Sequence, residues 1–386
     1  MIPYGRQDIT EADIQAVVDV MRSEFLTQGP VVPKFEKAVA CKVGAKYAVA
    51  SNSGTSSLHL ACRALGVGPG DWVWTSPITF VASANCARYC GADVDFVDID
   101  RKYRNLSVEK LTNKLQQAEQ EGKLPKVVIP VHLAGHPADM AEIRKLSKKY
   151  GFYVIEDASH ALAGSYRGVP IGSCQFSDVT VFSFHPVKIV TSAEGGIAAT
   201  NDPEIAQRIA LLNSHGITRE PSIFTRESDG PWYYEQLDLG FNYRMTELQG
   251  ALGLSQIKRV DQYIARRHEL AARYDTLLAD LPMELPARDP RDYSAFHLYI
   301  VRLNTKEISS SHREIFERLR AAGVLVNLHY IPIYRQPYYI DLGFDLQNFP
   351  EAESYYTEAI SLPLHPRLTE GDQDYVVSCI RREILQ

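Results

Sequence analysis

Short apolar runs alternate with stretches of helical spacing over the first half of the chain. The runs are rich in β-branched and aromatic residues and are bounded by turn residues, a pattern typical of buried strands. Between them, apolar residues recur three and four positions apart, which predicts helices such as 31–43, closed by Gly44. Strands that alternate with helices predict a mainly parallel sheet covered on both faces. The predicted strands span residues 47–50, 72–75, 94–98, 127–131, 153–156 and 179–184.

The second half of the chain begins with a long helical pattern. Apolar positions repeat at helical spacing over residues 245–281, beside a charged face that is typical of a solvated helix surface. A predicted strand over 295–302 and a predicted helix over 311–323 follow. The pattern therefore predicts an α/β protein with two domains. The large domain would span residues 1–260, and a smaller C-terminal α+β domain, which includes the connecting helix, would span 261–386.

Composition narrows the class of protein. Of the 386 residues, 45% are hydrophobic and 23% charged, as in ordinary globular proteins. The net charge of −6 gives no basic surface, so we expect no nucleic-acid partner. No apolar run reaches the length of a membrane span, and the polar first residues do not resemble a signal peptide; we expect a cytoplasmic protein with no membrane partner. The six cysteines are scattered, which favours reduced thiols over a metal site or disulfides.

Lys188 is the first candidate for chemistry. It follows the predicted strand 179–184 within an apolar stretch, and the glycine pair Gly195–Gly196 comes soon after. An amine surrounded by apolar side chains loses its proton more readily, and a neutral amine can attack a carbonyl to form a Schiff base. Taken alone, a surface lysine at the end of a strand is the more common explanation.

The turn at residues 51–57 is a candidate anion site. It links a predicted strand to a predicted helix and contains Gly54 and Thr55 among serines and an asparagine. Free backbone N–H groups and the positive end of the helix dipole face such a turn, and small residues let a phosphate come close. An ordinary Ser/Thr helix cap explains the same pattern equally well.

Asp157 and His160 follow the predicted strand 153–156. Ligands of parallel sheets bind at the carboxyl ends of the strands, so we expect Asp157, Lys188 and the 51–57 turn to share one ligand. Asp157 could be a helix cap, or it could face a pyridine nitrogen, keep it protonated and make the ring an electron sink. His160 could be a satisfied helix histidine or a hydrogen-bond partner of the same ring.

Seven motifs, in order, resemble the DegT/StrS family, and the similarity runs from about residue 4 to residue 363. The resemblance implies an aminotransferase that uses pyridoxal 5'-phosphate and acts on nucleotide-linked sugars. It also implies the aspartate aminotransferase-like fold, fold type I, and a homodimer whose active sites are shared between subunits. No metal is implied. The motifs lie at residues 52–55, 79–85, 131–135, 156–161, 183–188, 193–196 and 240–245.

The resemblance assigns roles around the cofactor ring. Lys188 would bind the cofactor aldehyde as a Schiff base and then move protons between the cofactor carbon and the sugar carbon. Asp157 would pair with the pyridinium nitrogen. His160 would touch the ring or its phenolic oxygen, and Phe80 would stack against the ring face.

The resemblance assigns a second group of residues to the cofactor phosphate. Gly54, Thr55 and Ser183 would hold it within one subunit. Asn242 would reach it from the neighbouring subunit. Ser183 and Asn242 would also lie close to the bound substrate.

Within the family, residues 3–5, 26–29, 75–85 and 328–334 are most similar to members of pseudaminic acid biosynthesis. These aminate C4 of a UDP-linked 4-keto-6-deoxy-N-acetylhexosamine with L-glutamate as donor, giving UDP-4-amino-4,6-dideoxy-N-acetyl-β-L-altrosamine. The resemblance places four side chains near the sugar nucleotide, where aromatic and hydroxyl groups can pack on a sugar. They are Tyr4, Thr27, His329 and Tyr330.

Several alternatives stay open at this point. Another nucleotide sugar, a UDP-4-keto-pentose or a GDP-4-keto-6-deoxyhexose, would use the same catalytic residues. The tyrosines of residues 330–339 could serve packing alone, and the polar segment 218–236 could be a loop over the neighbouring active site. A related sugar dehydratase carries histidine where Lys188 stands, which argues against that activity. A DNA-binding regulator on this fold would need a basic module that the chain lacks.

Overall fold

The computed structural model describes residues 1–385 and confirms the α/β organisation. Within the described residues, no helix combines the length and the apolar character needed to cross a bilayer. The α-helices are α1 Glu11–Met21, α2 Val31–Val43, α3 Gly54–Ala64, α4 Ala82–Tyr89, α5 Val108–Glu121, α6 Met140–Tyr150, α7 Pro203–Asn213, α8 Glu247–Ile257, α9 Val260–Leu277, α10 His312–Ala321, α11 Pro337–Ile340, α12 Pro350–Glu358 and α13 Glu370–Ile384.

The strands include all six that the sequence pattern predicts in the first half of the chain, with ends shifted by up to two residues. They are β1 Ile2–Pro3, β2 Tyr47–Ser51, β3 Trp72–Thr75, β4 Asp93–Phe96, β5 Val127–Ile129, β6 Tyr153–Asp157, β7 Ser165–Tyr166, β8 Val169–Pro170, β9 Val179–Ser183, β10 Gly196–Thr200, β11 Ile217–Thr218, β12 Glu235–Gln236, β13 Met283–Glu284, β14 Tyr299–Leu303, β15 Val324–Leu325 and β16 Ala359–Leu362.

The central sheet has seven strands in the order β2-β10-β9-β6-β5-β3-β4. Only β10 runs antiparallel to its neighbours, so the predicted mainly parallel sheet is confirmed. The sequence pattern did not predict β10, because its glycine and alanines do not form a branched or aromatic run. All five of its residues are nevertheless buried.

Both faces of the sheet are covered, which explains the continuous apolar runs of its strands. Successive side chains of a strand point to opposite faces. In β9, Val181 packs in the cluster that contains Leu58 of α3, whereas Phe182 packs in the cluster that contains Phe35 of α2. A strand that is buried on both faces therefore has a nearly continuous run of apolar residues.

The C-terminal part contains a second, antiparallel sheet in the order β13-β14-β16. A separate apolar cluster joins this sheet to α9, α10 and α13. The predicted helical stretch over 245–281 is divided into two helices. The first, α8, ends at Ile257, and the second, α9, begins at Val260. The division into domains at residue 260 stays a prediction. The N-terminal strand β1, however, pairs with β15 of the C-terminal part.

Two of the tyrosines after β15 serve packing. Tyr334 and Tyr339 are buried, and both rings pack against Phe96 of β4. These contacts fix residues 333–340 beside the sheet edge. Tyr330, at the start of this stretch, lies instead in the cavity described below.

Candidate active site

A cavity of about 850 Å³ lies where the carboxyl ends of β2, β3, β6 and β9 meet. Its lining contains every residue that the sequence assigned to the site except Thr27 and Asn242. A cavity of about 710 Å³ along β4 contains none of them. The polar and aromatic lining of the larger cavity consists of Tyr4, Asn52, Ser53, Gly54, Thr55, Thr79, Phe80, Asp157, Ser159, His160, Ser183, His185, Lys188, Glu194, His297, Asn327, His329 and Tyr330.

Lys188 lies in the tight turn that follows β9. Its backbone N–H donates to the carbonyl of His185 at 2.9 Å, and the side chain is partly buried in the cavity wall. Burial lowers the pKa of the Lys188 amine to about 8, while the negative charge of Asp157 raises it by a smaller amount. The amine is therefore far easier to deprotonate than an exposed lysine.

Asp157 is the last residue of β6 and is 5% exposed. Its Oδ2 accepts a hydrogen bond from the Ser83 hydroxyl at 2.6 Å, and its Oδ1 accepts one from the backbone N–H of Ser159 at 3.1 Å. The carboxylate thus closes a turn and does not cap an α-helix. Each oxygen is held by one donor, which fixes the plane of the carboxylate at the cavity wall.

His160 is held between the backbone and Tyr330. The backbone N–H of Ala134 donates to its Nδ1 at 3.3 Å, and its Nε2 lies 3.0 Å from the Tyr330 hydroxyl. Because Nδ1 accepts, the neutral ring carries its proton on Nε2. Burial, followed by the charges of Lys188 and His329, lowers the pKa of His160 well below its ordinary value. The ring is therefore neutral, and burial keeps Tyr330 protonated by raising its pKa.

The turn between β2 and α3 caps the helix and also forms a concave part of the cavity wall, here called the cradle, which consists of Gly54, Thr55 and Ser183. Ser53 is the N-cap of α3, and its side chain accepts from the N–H of Ser56 at 3.1 Å. Gly54 and Thr55 begin the helix and line the cavity together with Ser183. A Cβ at Gly54 would lie 2.9 Å from the Cβ of Ser183, so only glycine lets the end of β9 come this close. The free N–H groups of the first helical turn suit a phosphate.

The opposite wall of the cavity is aromatic and uncharged. Phe80 is 56% exposed, and its ring centroid lies 6.2 Å from that of Tyr330. The rings of Tyr4 and His329 lie 5.0 Å apart, and His329 Nδ1 pairs with the Ser361 hydroxyl at 2.8 Å. Burial lowers the pKa of His329 to about 3, so its ring is neutral. Such a wall offers stacking surface and hydrogen bonds without a full charge.

Thr27 and Asn242 are exposed and lie outside the cavity of their own chain. Thr27 pairs with Thr246 in an antiparallel bridge, and the N–H of Glu247 donates to the Leu26 carbonyl at 3.0 Å. The loop that contains Thr27 therefore pairs with the start of α8, whereas Asn242 bridges Ser214. The assignment of Asn242 to a neighbouring subunit stays a prediction, as does the role of Thr27.

Several cavity residues carried no assigned role in the sequence. His297 comes from the C-terminal part, and its ring centroid lies 4.4 Å from that of His160. Its Nδ1 is buried and has no hydrogen-bond partner among the described residues. Asn327 also comes from the C-terminal part, whereas Glu194 lies within a motif. Ser83 lies within another motif and does not line the cavity, but it bonds Asp157 from behind the wall. The motifs marked the last two, but no local pattern brings His297 or Asn327 to the sheet edge.

The segment 218–236 is folded back on itself. Strands β11 and β12 pair at its ends, and the Glu235 carboxylate accepts hydrogen bonds from Thr225, Arg226 and Tyr233. Trp232 is 71% exposed at the outer end. The segment lies outside the cavity of its own chain, and its role in substrate binding stays a prediction.

Comparison with known proteins identifies the family. The profile of the DegT/DnrJ/EryC1/StrS aminotransferase family matches residues 7–381. The chain belongs to this family. Members are aminotransferases that depend on pyridoxal phosphate and act on sugars, and this chain is one of them.

Two relatives of this family member match over nearly their whole length. The spore coat polysaccharide biosynthesis protein SpsC of Bacillus subtilis is 38% identical over 384 residues, which cover 98% of this chain and 96% of SpsC. The UDP-4-amino-4,6-dideoxy-N-acetyl-beta-L-altrosamine transaminase of Campylobacter jejuni is 36% identical over 378 residues, covering 97% of this chain and 96% of that protein.

Two solved structures confirm the aspartate aminotransferase-like architecture. PseC of Helicobacter pylori, an aminotransferase of pseudaminic acid biosynthesis, superposes with a TM-score of 0.90 at 31% identity and covers 100% of this chain and 99% of its own. Spr1654 of Streptococcus pneumoniae is solved in forms with pyridoxal phosphate and pyridoxamine phosphate. These two forms give TM-scores of 0.88 and 0.89 at 31% identity, with 99% of this chain and 98% of Spr1654 covered.

The cavity residues of this aminotransferase fit the cofactor. The cradle around Gly54 has the small side chains and helix start that a phosphate needs. Lys188 supplies an amine that deprotonates readily, and Asp157 supplies a fixed carboxylate on the same wall. Phe80 offers an exposed ring to stack on the pyridine.

Proposed function

We propose that this aminotransferase moves an amino group from L-glutamate to C4 of a UDP-linked 4-keto-6-deoxy-N-acetylhexosamine. The product is UDP-4-amino-4,6-dideoxy-N-acetyl-β-L-altrosamine, an intermediate of pseudaminic acid synthesis. The observation that carries the proposal is the match to the Campylobacter jejuni transaminase over 97% of the chain. The overlap with PseC of Helicobacter pylori supports the same substrate.

Lys188 is the proton carrier in this proposal. Bound pyridoxal phosphate supplies an electron sink for the carbanion, and Lys188 holds the cofactor and moves the proton at the reacting carbon. A pKa lowered to about 8 suits both tasks, because the amine then gives and takes a proton near neutral pH. Asp157 would pair with the ring nitrogen of the bound cofactor and hold its proton there.

The neutral groups of the cavity position the substrates. His160 donates through Nε2 to Tyr330, so the Tyr330 proton is free to bond an oxygen of the cofactor or sugar. Tyr4 and His329 form the wall on which the sugar packs. Gly54, Thr55 and Ser183, which line the cavity together, would hold the cofactor phosphate, and Phe80 would cover the ring face.

The active enzyme in this proposal is a cytoplasmic homodimer. Asn242 lies on an exposed surface away from its own cavity, which supports a role in the site of the partner subunit. Thr27 is likewise exposed outside the cavity of its own chain, so we propose the same role for it.

A substrate panel tests the proposal. Purified enzyme is incubated with L-glutamate and, separately, with a UDP-4-keto-6-deoxy-N-acetylhexosamine, a UDP-4-keto-pentose and a GDP-4-keto-6-deoxyhexose. We expect the highest kcat/KM with the first, and NMR of the product should show the amine at C4 in the β-L-altro configuration. A preference for either of the other sugars would assign the enzyme to that sugar and refute the proposed substrate.

A further inference from the structure

Two buried hydroxyls stand in line behind the Asp157 carboxylate. The Ser83 Oγ donates to Asp157 Oδ2 at 2.6 Å, and the Thr79 Oγ1 lies 2.9 Å from the Ser83 Oγ. Ser83 is 0% exposed and Thr79 is 2% exposed. Water therefore cannot replace the Ser83 hydroxyl without moving the surrounding side chains, and Thr79 lies at the cavity wall beside it.

The direction of the hydrogen bonds follows from the chemistry of the groups. An ionised carboxylate can only accept, so Ser83 gives its single hydroxyl proton to Asp157. The bond between Thr79 and Ser83 must then use the Thr79 proton. Both hydroxyl dipoles thus point toward Asp157, and aligned hydrogen bonds of this kind strengthen one another in a buried environment.

We infer that Thr79 and Ser83 are positioning residues that hold the Asp157 carboxylate in the orientation that faces the cofactor ring. The inference rests on the proposed pairing of Asp157 with the ring nitrogen. Hydrogen bonds to a charged acceptor are short and directional, so the bond from Ser83 fixes where the carboxylate oxygens of Asp157 point. A carboxylate that turned away could not pair with the ring nitrogen.

The two residues lie in the part of the chain that also forms the cofactor pocket. Thr79 directly precedes Phe80, which lines the cavity, and Ser83 lies in the first turn of α4. The segment from the end of β3 into the first turn of α4 therefore carries both the ring-stacking side chain and the two hydroxyls behind Asp157. A shift of this segment would change the ring contact and the carboxylate together.

The test compares Ser83→Ala, Ser83→Thr and Thr79→Val in the full-length enzyme. We expect Ser83→Ala to weaken pyridoxal phosphate binding by about 10- to 100-fold, the range for a hydrogen bond to a charged group. The visible absorption band of the bound cofactor should titrate at higher pH, because an unprotonated ring withdraws less charge from its link to Lys188. Thr79→Val should cause a smaller change in the same direction, and Ser83→Thr should restore most of the affinity.

A matched control separates this role from packing. Ser147 also donates a buried 2.6 Å hydrogen bond, to the Phe152 carbonyl, but it lies outside the cavity. Ser147→Ala should lower the melting temperature without changing cofactor affinity or the titration of the band. If Ser83→Ala fails to fold, the same measurements are made on Ser83→Cys, which keeps a weak hydrogen-bond donor, and on Thr79→Val. These two variants then test the inference.

Failure of this inference can be told apart from failure of the proposed function. One result would overturn only the role of Thr79 and Ser83. In that result, Ser83→Ala and Thr79→Val keep the wild-type cofactor affinity and band titration, whereas Asp157→Asn loses the affinity and changes the titration. Wild-type cofactor affinity and band titration in Asp157→Asn would overturn the proposed role of Asp157 and, with it, the role of Thr79 and Ser83.

Discussion

At Lys188, burial and the nearby Asp157 carboxylate act on the amine in opposite directions. Burial removes water from the ammonium form and lowers its pKa, whereas the negative charge of Asp157 raises the pKa. Burial has the larger effect, so the pKa falls from the ordinary lysine value to about 8. The same desolvation keeps His160, His297 and His329 neutral, since the pKa of each is lowered.

This pKa predicts how the cofactor reacts with the apoenzyme. Only the neutral amine attacks an aldehyde, so the rate of covalent pyridoxal phosphate attachment should rise with pH up to about 8 and then level off. Stopped-flow absorbance between pH 6 and 10 measures it. Pyridoxamine phosphate cannot form the covalent link and should bind without this dependence. A rate that keeps rising to pH 10 would show an ordinary exposed lysine.

At the scale of elements, the site depends on how closely β9 approaches the start of α3. Gly54 occupies the contact, because any Cβ there would meet the Cβ of Ser183 at 2.9 Å. The contact places the Ser183 hydroxyl beside the first turn of α3, where the phosphate is expected. Neither element can move back, since both are packed into the buried core around Leu58 and Val181.

Gly54→Ala should therefore lower both stability and cofactor affinity. Overpacking of this kind costs about 1 to 3 kcal/mol, which thermal unfolding of the apoenzyme measures. Adding Ser183→Gly should restore stability but not affinity, because the phosphate would still lack the Ser183 hydroxyl. Gly68→Ala is the control, since nothing lies within 4 Å of a Cβ there. Equal melting temperatures for Gly54→Ala and Gly68→Ala would show that the contact is loose.

Most of the central sheet and most of the cavity residues could be predicted from the sequence, and the physical reasons are related. Strands that are buried on both faces need long apolar runs, and parallel strands end at one edge, so the sequence alone predicts that Asp157 and Lys188 lie close together. It missed β10, whose small residues are buried by their neighbours. It also missed His297 and Asn327, because only tertiary packing brings the C-terminal part to the cavity.

At the scale of the whole molecule, the exposed position of Asn242 predicts a site shared between two chains. Lys188→Ala and Asn242→Ala should each be nearly inactive alone. After mixing and subunit exchange, the heterodimer would contain one site with an intact Lys188 from one chain and an intact Asn242 from the other. We expect activity to return on mixing. If Asn242 served its own chain, each site of the heterodimer would carry one substitution, and the mixture would stay inactive.

The account as a whole depends on a covalent link between the cofactor and one lysine. Borohydride reduction of the cofactor-loaded enzyme, followed by peptide mass spectrometry, measures that link directly. We predict a single pyridoxyl-phosphate modification on Lys188, absent from the Lys188→Ala variant. A modification on a different lysine, or an unmodified Lys188 peptide from fully loaded enzyme, would contradict the account.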